Sequence, residues 1–231
     1  MGLQTMGERY TRPDWVRRLN AMGPQTPSEV QCALDHGARI LMLPMARQAR
    51  EVEQFLKCVD RRAKTIVQIE TQSLVTEVER LKALPWDAAY IGLNDLMVSR
   101  AGSFIWDAVL DGTVERLFQA LEGRAVGFGG VTVVGGGYPI RFTHLLHEMA
   151  RVGCRLSFLR RTFKRELLDR DFFAEVQVIR ALWQASRRRG SAAMASDHAA
   201  FIAEIKKLQE THDDRAHVQH APAQHAASLA A

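Results

Sequence analysis

Short apolar runs alternate with amphipathic helical patterns along most of this chain, and this alternation constrains the fold more than any other feature. The runs are rich in Ile, Val, Leu and Met, and they lack a strict apolar–polar alternation. Both properties are typical of parallel strands that are covered on both faces. The six runs are residues 15–19, 39–45, 65–71, 88–96, 125–134 and 155–159.

The segments between the runs carry apolar residues three or four positions apart, as on one face of a helix. One such stripe consists of Val52, Phe55, Leu56 and Val59. Strands that alternate with helices form right-handed βαβ units, so the pattern predicts an α/β fold.

We count six strand–helix units between residues 15 and 190, whereas a complete (β/α)₈ barrel has eight units and about 250 residues. We therefore predict that residues 1–190 form a TIM-barrel-like domain that is two units short of a complete barrel. Residues 191–231 contain one more helical pattern, at 201–208, followed by an Ala-, His- and Gln-rich end that we expect to be disordered.

The composition excludes several classes of protein. Hydrophobic residues make up 47% and charged residues 25% of the 231 positions, which argues against a disordered chain. The absence of a long apolar stretch, or of an apolar core near the N-terminus, argues against a membrane span or a secretory signal. Three widely spaced cysteines favour a reducing compartment, and we predict a cytoplasmic protein.

The net charge of +5 is concentrated in one block. Residues 151–190 carry 11 basic and 4 acidic side chains, whereas residues 1–150 carry 17 of each. No aromatic interleaving accompanies the block, so we do not expect nucleic acid to be a partner.

Two carboxylates follow neighbouring apolar runs. Glu70 closes the third run and Asp95 closes the fourth. The carboxyl edge of a parallel sheet is where ligands bind, and a buried carboxylate there needs a partner. A hard cation such as Mg²⁺ or Mn²⁺ would meet that need. The alternative is that Glu70 caps the next helix and Asp95 makes a turn, which are ordinary roles for such residues.

Three segments resemble one known family at matching spacing. They are residues 37–45 (GARILMLPM), 68–71 (QIET) and 91–96 (IGLNDL). Together they resemble the HpcH/HpaI aldolase and citrate lyase β-subunit family, over roughly residues 15–102. The resemblance implies a barrel of the pyruvate/phosphoenolpyruvate type and a lyase or aldolase that requires Mg²⁺ or Mn²⁺.

The resemblance also implies roles for individual residues. Glu70 and Asp95 match the metal ligands, and Gln68 matches a residue near metal-bound water or substrate. Arg18, in the segment 16–20 (VRRLN), best matches an arginine that contacts the keto or enolate oxygen, with Arg17 as the alternative register. The expected substrate is a pyruvate- or oxaloacetate-type 2-keto acid that reacts through an enolate.

Two further anion contacts follow from position along the chain. The backbone amides that follow Asp95, through Ala101 and Gly102, are expected to hold the substrate carboxylate. Arg160 and Arg161 follow the sixth run at the same edge, and one of them, assigned as Arg160, is expected to bind a carboxylate or phosphate. A surface cluster or a subunit contact is the alternative for Arg160.

The resemblance implies that the two missing units are the family's first two strands, so the barrel is shortened at its N-terminal end. In the aldolases of the family, the second of these strands carries an acid–His pair that manages proton transfer. Residues 1–14 contain no His. A reduced member that binds a keto acid or serves as a subunit is therefore an alternative function. The co-substrate remains open between an aldehyde and an acyl-CoA. Open sheet edges favour a homo-oligomer. Completion of the barrel by a partner chain or by a domain swap is a further alternative.

Two histidines in the second half have a spacing that metal sites also use. His144 and His147 lie three positions apart, opposite an apolar stripe. We expect a solvated helix face there rather than a metal site.

Overall fold

The computed structural model describes residues 4–5 and 16–220. Its centre is a seven-stranded sheet with the order β1-β7-β6-β5-β4-β3-β2. Strands β2 to β7 are parallel, and the short β1 pairs antiparallel with β7. The strands are β1 (Gln4–Thr5), β2 (Val16–Arg18), β3 (Ile40–Leu43), β4 (Lys64–Ile69), β5 (Ala88–Ile91), β6 (Ala125–Val131) and β7 (Leu156–Leu159).

Helices follow the parallel strands and cover one face of the sheet. They are α1 (Thr26–Asp35), α2 (Ala49–Val59), α3 (Gln72–Thr76), α4 (Val78–Lys82), α5 (Leu93–Ser99), α6 (Asp107–Leu110), α7 (Thr113–Ala120), α8 (Phe142–Arg151), α9 (Phe163–Glu166), α10 (Phe172–Arg187) and α11 (Ser191–His220). The six parallel strands curl into a shortened barrel, which confirms the predicted fold class.

Two apolar layers explain why the strands lack an alternating pattern. The larger core lies between the sheet and the helices and includes Leu41 of β3 and Phe55 of α2, both without solvent exposure. The concave face holds a smaller cluster of Ile40, Met42, Ile66 and Leu156. Because both faces of the parallel strands pack against apolar groups, nearly every strand position is hydrophobic.

Two apolar runs are longer than the strands they form. Strand β5 ends at Ile91, and the next residues begin α5, so Asp95 lies in the first turn of a helix rather than in a strand. Strand β6 likewise ends at Val131. Leu93 and Leu96 are buried residues of α5. The apolar run in the sequence therefore continues past the end of β5 into the helix.

The C-terminal helix α11 packs against α8 along its N-terminal half. Phe201 and Ile205 are fully buried there. The helix is longer than the apolar pattern at 201–208 predicted, because it begins at Ser191 and continues to His220. Residues 221–231 lie outside the described part of the chain. The division at residue 190 stays a prediction.

The expectation of a solvated face for His144 and His147 is wrong, because α11 covers that face. His144 Nδ1 lies 2.6 Å from Oε2 of Glu204, and His147 Nδ1 lies 3.4 Å from Oδ2 of Asp197. Within the described ranges, none of the helices combines the length and apolar character needed to cross a lipid bilayer.

Candidate active site

Glu70 lies directly after β4 and has no solvent exposure. The backbone amide of Met45 donates to its Oε1 at 2.7 Å, and the Gln68 side-chain amide donates to its Oε2 at 3.1 Å. The guanidinium of Arg18 lies 3.5 Å from Oε1. Both carboxylate oxygens are therefore fixed by groups from three neighbouring strands or the loops that follow them.

Glu70 does not cap the helix that follows it. The cap of α3 is Thr71, whose hydroxyl accepts from the amide of Leu74. This leaves the Glu70 carboxylate directed at Met45, Gln68 and Arg18, as a site residue would be.

Arg18 reaches the same carboxylate from β2, at the edge of the sheet. Its Nε donates to the side-chain oxygen of Gln68 at 2.7 Å, so Arg18, Gln68 and Glu70 form one hydrogen-bonded chain. Its side chain is 53% exposed, and Nη1 has no acceptor within the described residues. Arg17 makes no side-chain hydrogen bond or ion pair in that part of the structure. The strand register therefore favours Arg18 over Arg17.

Asp95 is half-buried in the first turn of α5 and lies close enough to Glu70 to affect its ionisation. Burial raises the pKa of Glu70, and the negative charge of Asp95 raises it further. The Met45 amide and Arg18 oppose this shift, but the net direction is upward. Two carboxylates therefore share one site, where burial and their mutual repulsion both disfavour the charged form of Glu70.

Gly92 leaves room for the side chain of Glu70. A β-carbon added at residue 92 would lie 2.7 Å from Oε2 of Glu70 and 3.0 Å from its Cβ. The backbone there has φ −91° and ψ 91°, which other residues also adopt. The requirement for glycine is thus the space that the Glu70 side chain occupies.

Met45 is a site residue that the sequence reasoning missed. Its φ of 53° lies in the left-handed region, which is uncommon and costly for a residue other than glycine. Its amide makes the shortest hydrogen bond to Glu70. The only sequence signal was its place at the end of the segment 37–45, since nothing in a methionine side chain predicts this backbone role.

A cavity of about 490 Å³ opens at this edge of the sheet. Polar groups from four successive strands and their loops face it, together with apolar side chains such as Ile140 and Phe158. Its polar and aromatic lining includes Gln68, Glu70, Tyr90, Asp95, Trp106, Arg160 and Arg161.

Arg160 lines this cavity at the end of β7, and its Nη1 donates to the carbonyl of Tyr138 at 2.9 Å. A β-carbon at Gly130 would lie 2.6 Å from Cγ of Arg160, so the glycine lets the arginine stem cross β6. Three strand spacings separate β7 from β4, or about 14 Å along the sheet. A positive group thus lies at the far side of the cavity from Glu70.

The structure places Ala101 and Gly102 away from the cavity and so does not support the expected contact of their amides with substrate. These residues follow the end of α5, not its start, and their amides donate to the carbonyls of Val98 and Met97 at 3.0 Å. Neither residue lines the cavity. A helix intervenes because the apolar run changes from strand to helix at Gly92.

The carboxylate pair fits a hard divalent cation. Glu70 and Asp95 would supply anionic oxygen ligands, and a cation between them would offset the burial and the repulsion that together raise the pKa of Glu70. Across the described residues, no group of three or more His, Cys, Asp or Glu side chains could hold an ion. Water and substrate would therefore complete the coordination, as is usual for Mg²⁺.

The geometry defines the class of protein as a shortened (β/α) barrel with an acidic site at its carboxyl edge. No protein-family model matches the sequence, and no curated protein matches it. Solved structures do share the fold. An HpcH/HpaI aldolase/citrate lyase family protein from Burkholderia cenocepacia J2315 is 23% identical, with a TM-score of 0.51 over 72% of this chain and 74% of that one.

Two more structures agree on the fold. RipC from Yersinia pestis is 16% identical, with a TM-score of 0.52 over 78% of this chain and 79% of that one. A citrate lyase from Burkholderia xenovorans LB400 is 15% identical, with a TM-score of 0.51 over 84% of this chain and 72% of that one. The chain thus has the fold of the HpcH/HpaI aldolase and citrate lyase proteins, which confirms the predicted resemblance at the level of fold.

Proposed function

We propose that this protein is a carbon–carbon lyase or aldolase that requires Mg²⁺ or Mn²⁺ and acts on a pyruvate- or oxaloacetate-type 2-keto acid. The observation that carries the proposal is the pairing of a fully buried Glu70 with Asp95, beside Arg18. The fold supports it, because the similar structures include proteins named as aldolase and citrate lyase family members.

Glu70 and Asp95 would hold the ion, which supplies Lewis-acid polarisation of the keto acid. Arg18 stabilises the negative charge that develops on the keto oxygen, using the Nη1 that Gln68 and Glu70 leave free. Gln68 accepts from Arg18 and donates to Glu70, so it fixes the orientation of both charged groups.

Arg160 is proposed to bind a second anionic group of the substrate. It lies at the same cavity about three strands away from Glu70, so its partner is a carboxylate or phosphate at the other end of an extended substrate. An aldehyde that carries a carboxylate and an acyl-CoA both meet this condition.

A second candidate function is a reduced family member that binds a 2-keto acid without turning it over, or that serves as a subunit. The observation that favours it is that no histidine lines the cavity within the described residues. General acid–base catalysis typically contributes about 10²–10⁴ in rate, so such a member would be slow.

A homo-oligomer is proposed as well, because β2 ends the sheet with β3 as its sole strand neighbour in the described chain. The free cysteines fit a cytoplasmic location.

Oxaloacetate decarboxylation tests the proposed function. With Mg²⁺ or Mn²⁺ the intact protein should accelerate the loss of oxaloacetate, and Glu70→Gln and Asp95→Asn should abolish the acceleration. The exposed Glu79→Gln is the matched control and should keep it. If Mn²⁺ binds, as calorimetry would detect, but no decarboxylation occurs, the second candidate replaces the first.

A further inference from the structure

A second cavity, of about 930 Å³, lies at the opposite edge of the sheet. Arg39 precedes β3, Lys64 begins β4 and Asp87 precedes β5, so the cavity is formed by the amino ends of these strands and by the end of α2. Glu70 follows the carboxyl end of β4, so the two cavities are separated by the length of the strands. The proposed lyase chemistry makes no use of this second cavity.

The charges on its wall are unbalanced. Five basic and three acidic side chains line the cavity. Lys57 is neutralised by Glu53 at 2.7 Å, and the carboxylate of Asp87 is bound by the backbone and hydroxyl of Thr65. Asp60 and Asp87 keep their negative charges, so three arginines and Lys64 face two carboxylates and the wall keeps a positive excess.

Capping of α2 accounts for one of the basic residues. The guanidinium of Arg62 donates to the carbonyls of Val59 and Cys58, at 3.1 and 2.7 Å, and so satisfies the carboxyl end of the helix. Arg39, Arg61 and Lys64 do not contribute to the capping of α2. Within the described residues, their side chains have no hydrogen bond or ion pair, although all three line one cavity.

The turn after α2 adds a second observation. Asp60 and Arg61 are consecutive non-glycine residues with φ of 48° and 56°. Asp60 alone is sufficient to end α2, because its backbone amide donates to the carbonyl of Leu56. The second left-handed residue is sterically disfavoured, and such positions persist at ligand clamps.

The floor of the cavity is apolar. Leu56, Val59, Leu84 and Pro85 contribute to it. A volume of this size matches the upper range of small-molecule sites, in which an apolar floor holds the body of the ligand and a few polar groups fix its orientation.

We propose that this cavity, hereafter the amino-edge cavity, binds a small phosphorylated ligand with an apolar or aromatic body, such as a nucleoside phosphate, through Arg39, Arg61 and Lys64. The free cations meet the phosphate charges, and the apolar floor meets the ring or chain attached to them. This site is independent of the carboxylate pair, so its occupancy does not depend on the proposed lyase activity.

Calorimetric titration of the intact protein with ADP, inorganic phosphate and adenosine tests the proposal. ADP should bind saturably with a dissociation constant below about 1 mM, and more tightly than either of its parts. The triple variant Arg39→Gln/Arg61→Gln/Lys64→Gln should weaken ADP binding at least tenfold. The control Arg187→Gln/Arg188→Gln/Lys206→Gln removes the same charge from exposed positions elsewhere and should leave it unchanged.

Circular dichroism on both triple variants establishes that they fold, and Arg39→Lys/Arg61→Lys, which keeps the charges, should retain binding within a few-fold. Several outcomes overturn the proposal: no saturable binding of any probe, equal weakening in the two triple variants, or adenosine binding as tightly as ADP. Binding of heparin without binding of ADP would also overturn it, because that result indicates an open polyanion surface.

Discussion

The backbone amide of Met45 donates a 2.7 Å hydrogen bond to Oε1 of Glu70, a carboxylate with no solvent exposure. This contact joins the loop after β3 to the end of β4 and holds the buried acid in place. Together with Gln68 and Arg18, this contact stabilises the negative charge of Glu70, which burial and the charge of Asp95 disfavour. The response of this site to pH, to added volume and to loss of charge is testable.

The pH dependence of stability should report on Glu70. Its pKa is raised in the folded protein, so the native state binds the proton more tightly than the unfolded state does. Its contribution to the free energy of unfolding is greatest below the ordinary pKa of 4.5 and declines as pH rises through the raised value. Urea denaturation between about pH 4 and pH 7 should show this decline in the wild type relative to Glu70→Gln.

Addition of Mg²⁺ should restore the stability that the wild type loses at the upper end of this range and leave Glu70→Gln unaffected. If the two proteins have the same pH dependence, Glu70 has no raised pKa and the account of the carboxylate pair is wrong.

Gly92→Ala should disturb the site only through the volume of the added methyl group. The new methyl group would lie 2.7 Å from Oε2 of Glu70, and the backbone conformation is acceptable to alanine. We expect a loss of about 1–3 kcal/mol in the free energy of unfolding, as for overpacked sites, and a weakening of Mn²⁺ binding by at least tenfold. Calorimetry measures both effects.

Gly23→Ala is the matched control for Gly92→Ala. The nearest atom to its added methyl group is 3.8 Å away, so stability and Mn²⁺ binding should stay close to those of the wild type. Equal behaviour of the two variants would remove the argument that Gly92 makes room for Glu70.

The two adjacent arginines of β2 should differ in function. Arg18 contacts Gln68 and Glu70, whereas Arg17 has no such contact in the described chain. Arg18→Gln should weaken pyruvate binding in the presence of Mg²⁺ by roughly tenfold or more, since it removes a charged donor to the substrate. Arg17→Gln should bind as the wild type does. Fluorescence or calorimetric titration with pyruvate separates them, and equal losses would contradict the assignment.

The C-terminal helix should support one wall of the site cavity. Phe201 of α11 is fully buried and meets the ring of Trp106 edge-on at 5.9 Å, and Trp106 lines the cavity. Phe201→Ala should lower the free energy of unfolding by about 3–5 kcal/mol. The exposed Lys207→Ala in the same helix should be neutral. Thermal denaturation of both variants checks this, and a neutral Phe201→Ala would mean that α11 packs less firmly.

The sequence predicted the parallel strands well because their apolar runs reflect burial on both faces. The family resemblance assigned Gln68, Glu70 and Arg18 to one site, and the three side chains do contact one another, since the register of neighbouring strands brings their carboxyl ends to one edge. The sequence preferred Arg18 to Arg17, and the alternation of side chains along β2 brings Arg18 rather than Arg17 into contact with Gln68 and Glu70.

Long-range packing and the transition from strand to helix were not predictable in the same way. The run that ends β5 continues into α5 with the same apolar character, so Asp95 and the region of Ala101 were placed one element too early. The face of His144 is covered by Glu204, sixty residues later in the chain, and no local pattern reports that contact.

The exchange of the methyl protons of pyruvate for deuterium, followed by proton nuclear magnetic resonance, tests the central claim most directly. Enolate formation at the carboxylate pair predicts exchange that requires Mg²⁺ or Mn²⁺, that Glu70→Gln and Asp95→Asn abolish, and that Glu79→Gln leaves unchanged. Exchange that persists in Glu70→Gln, or that is absent from the metal-loaded wild type, would contradict the claim.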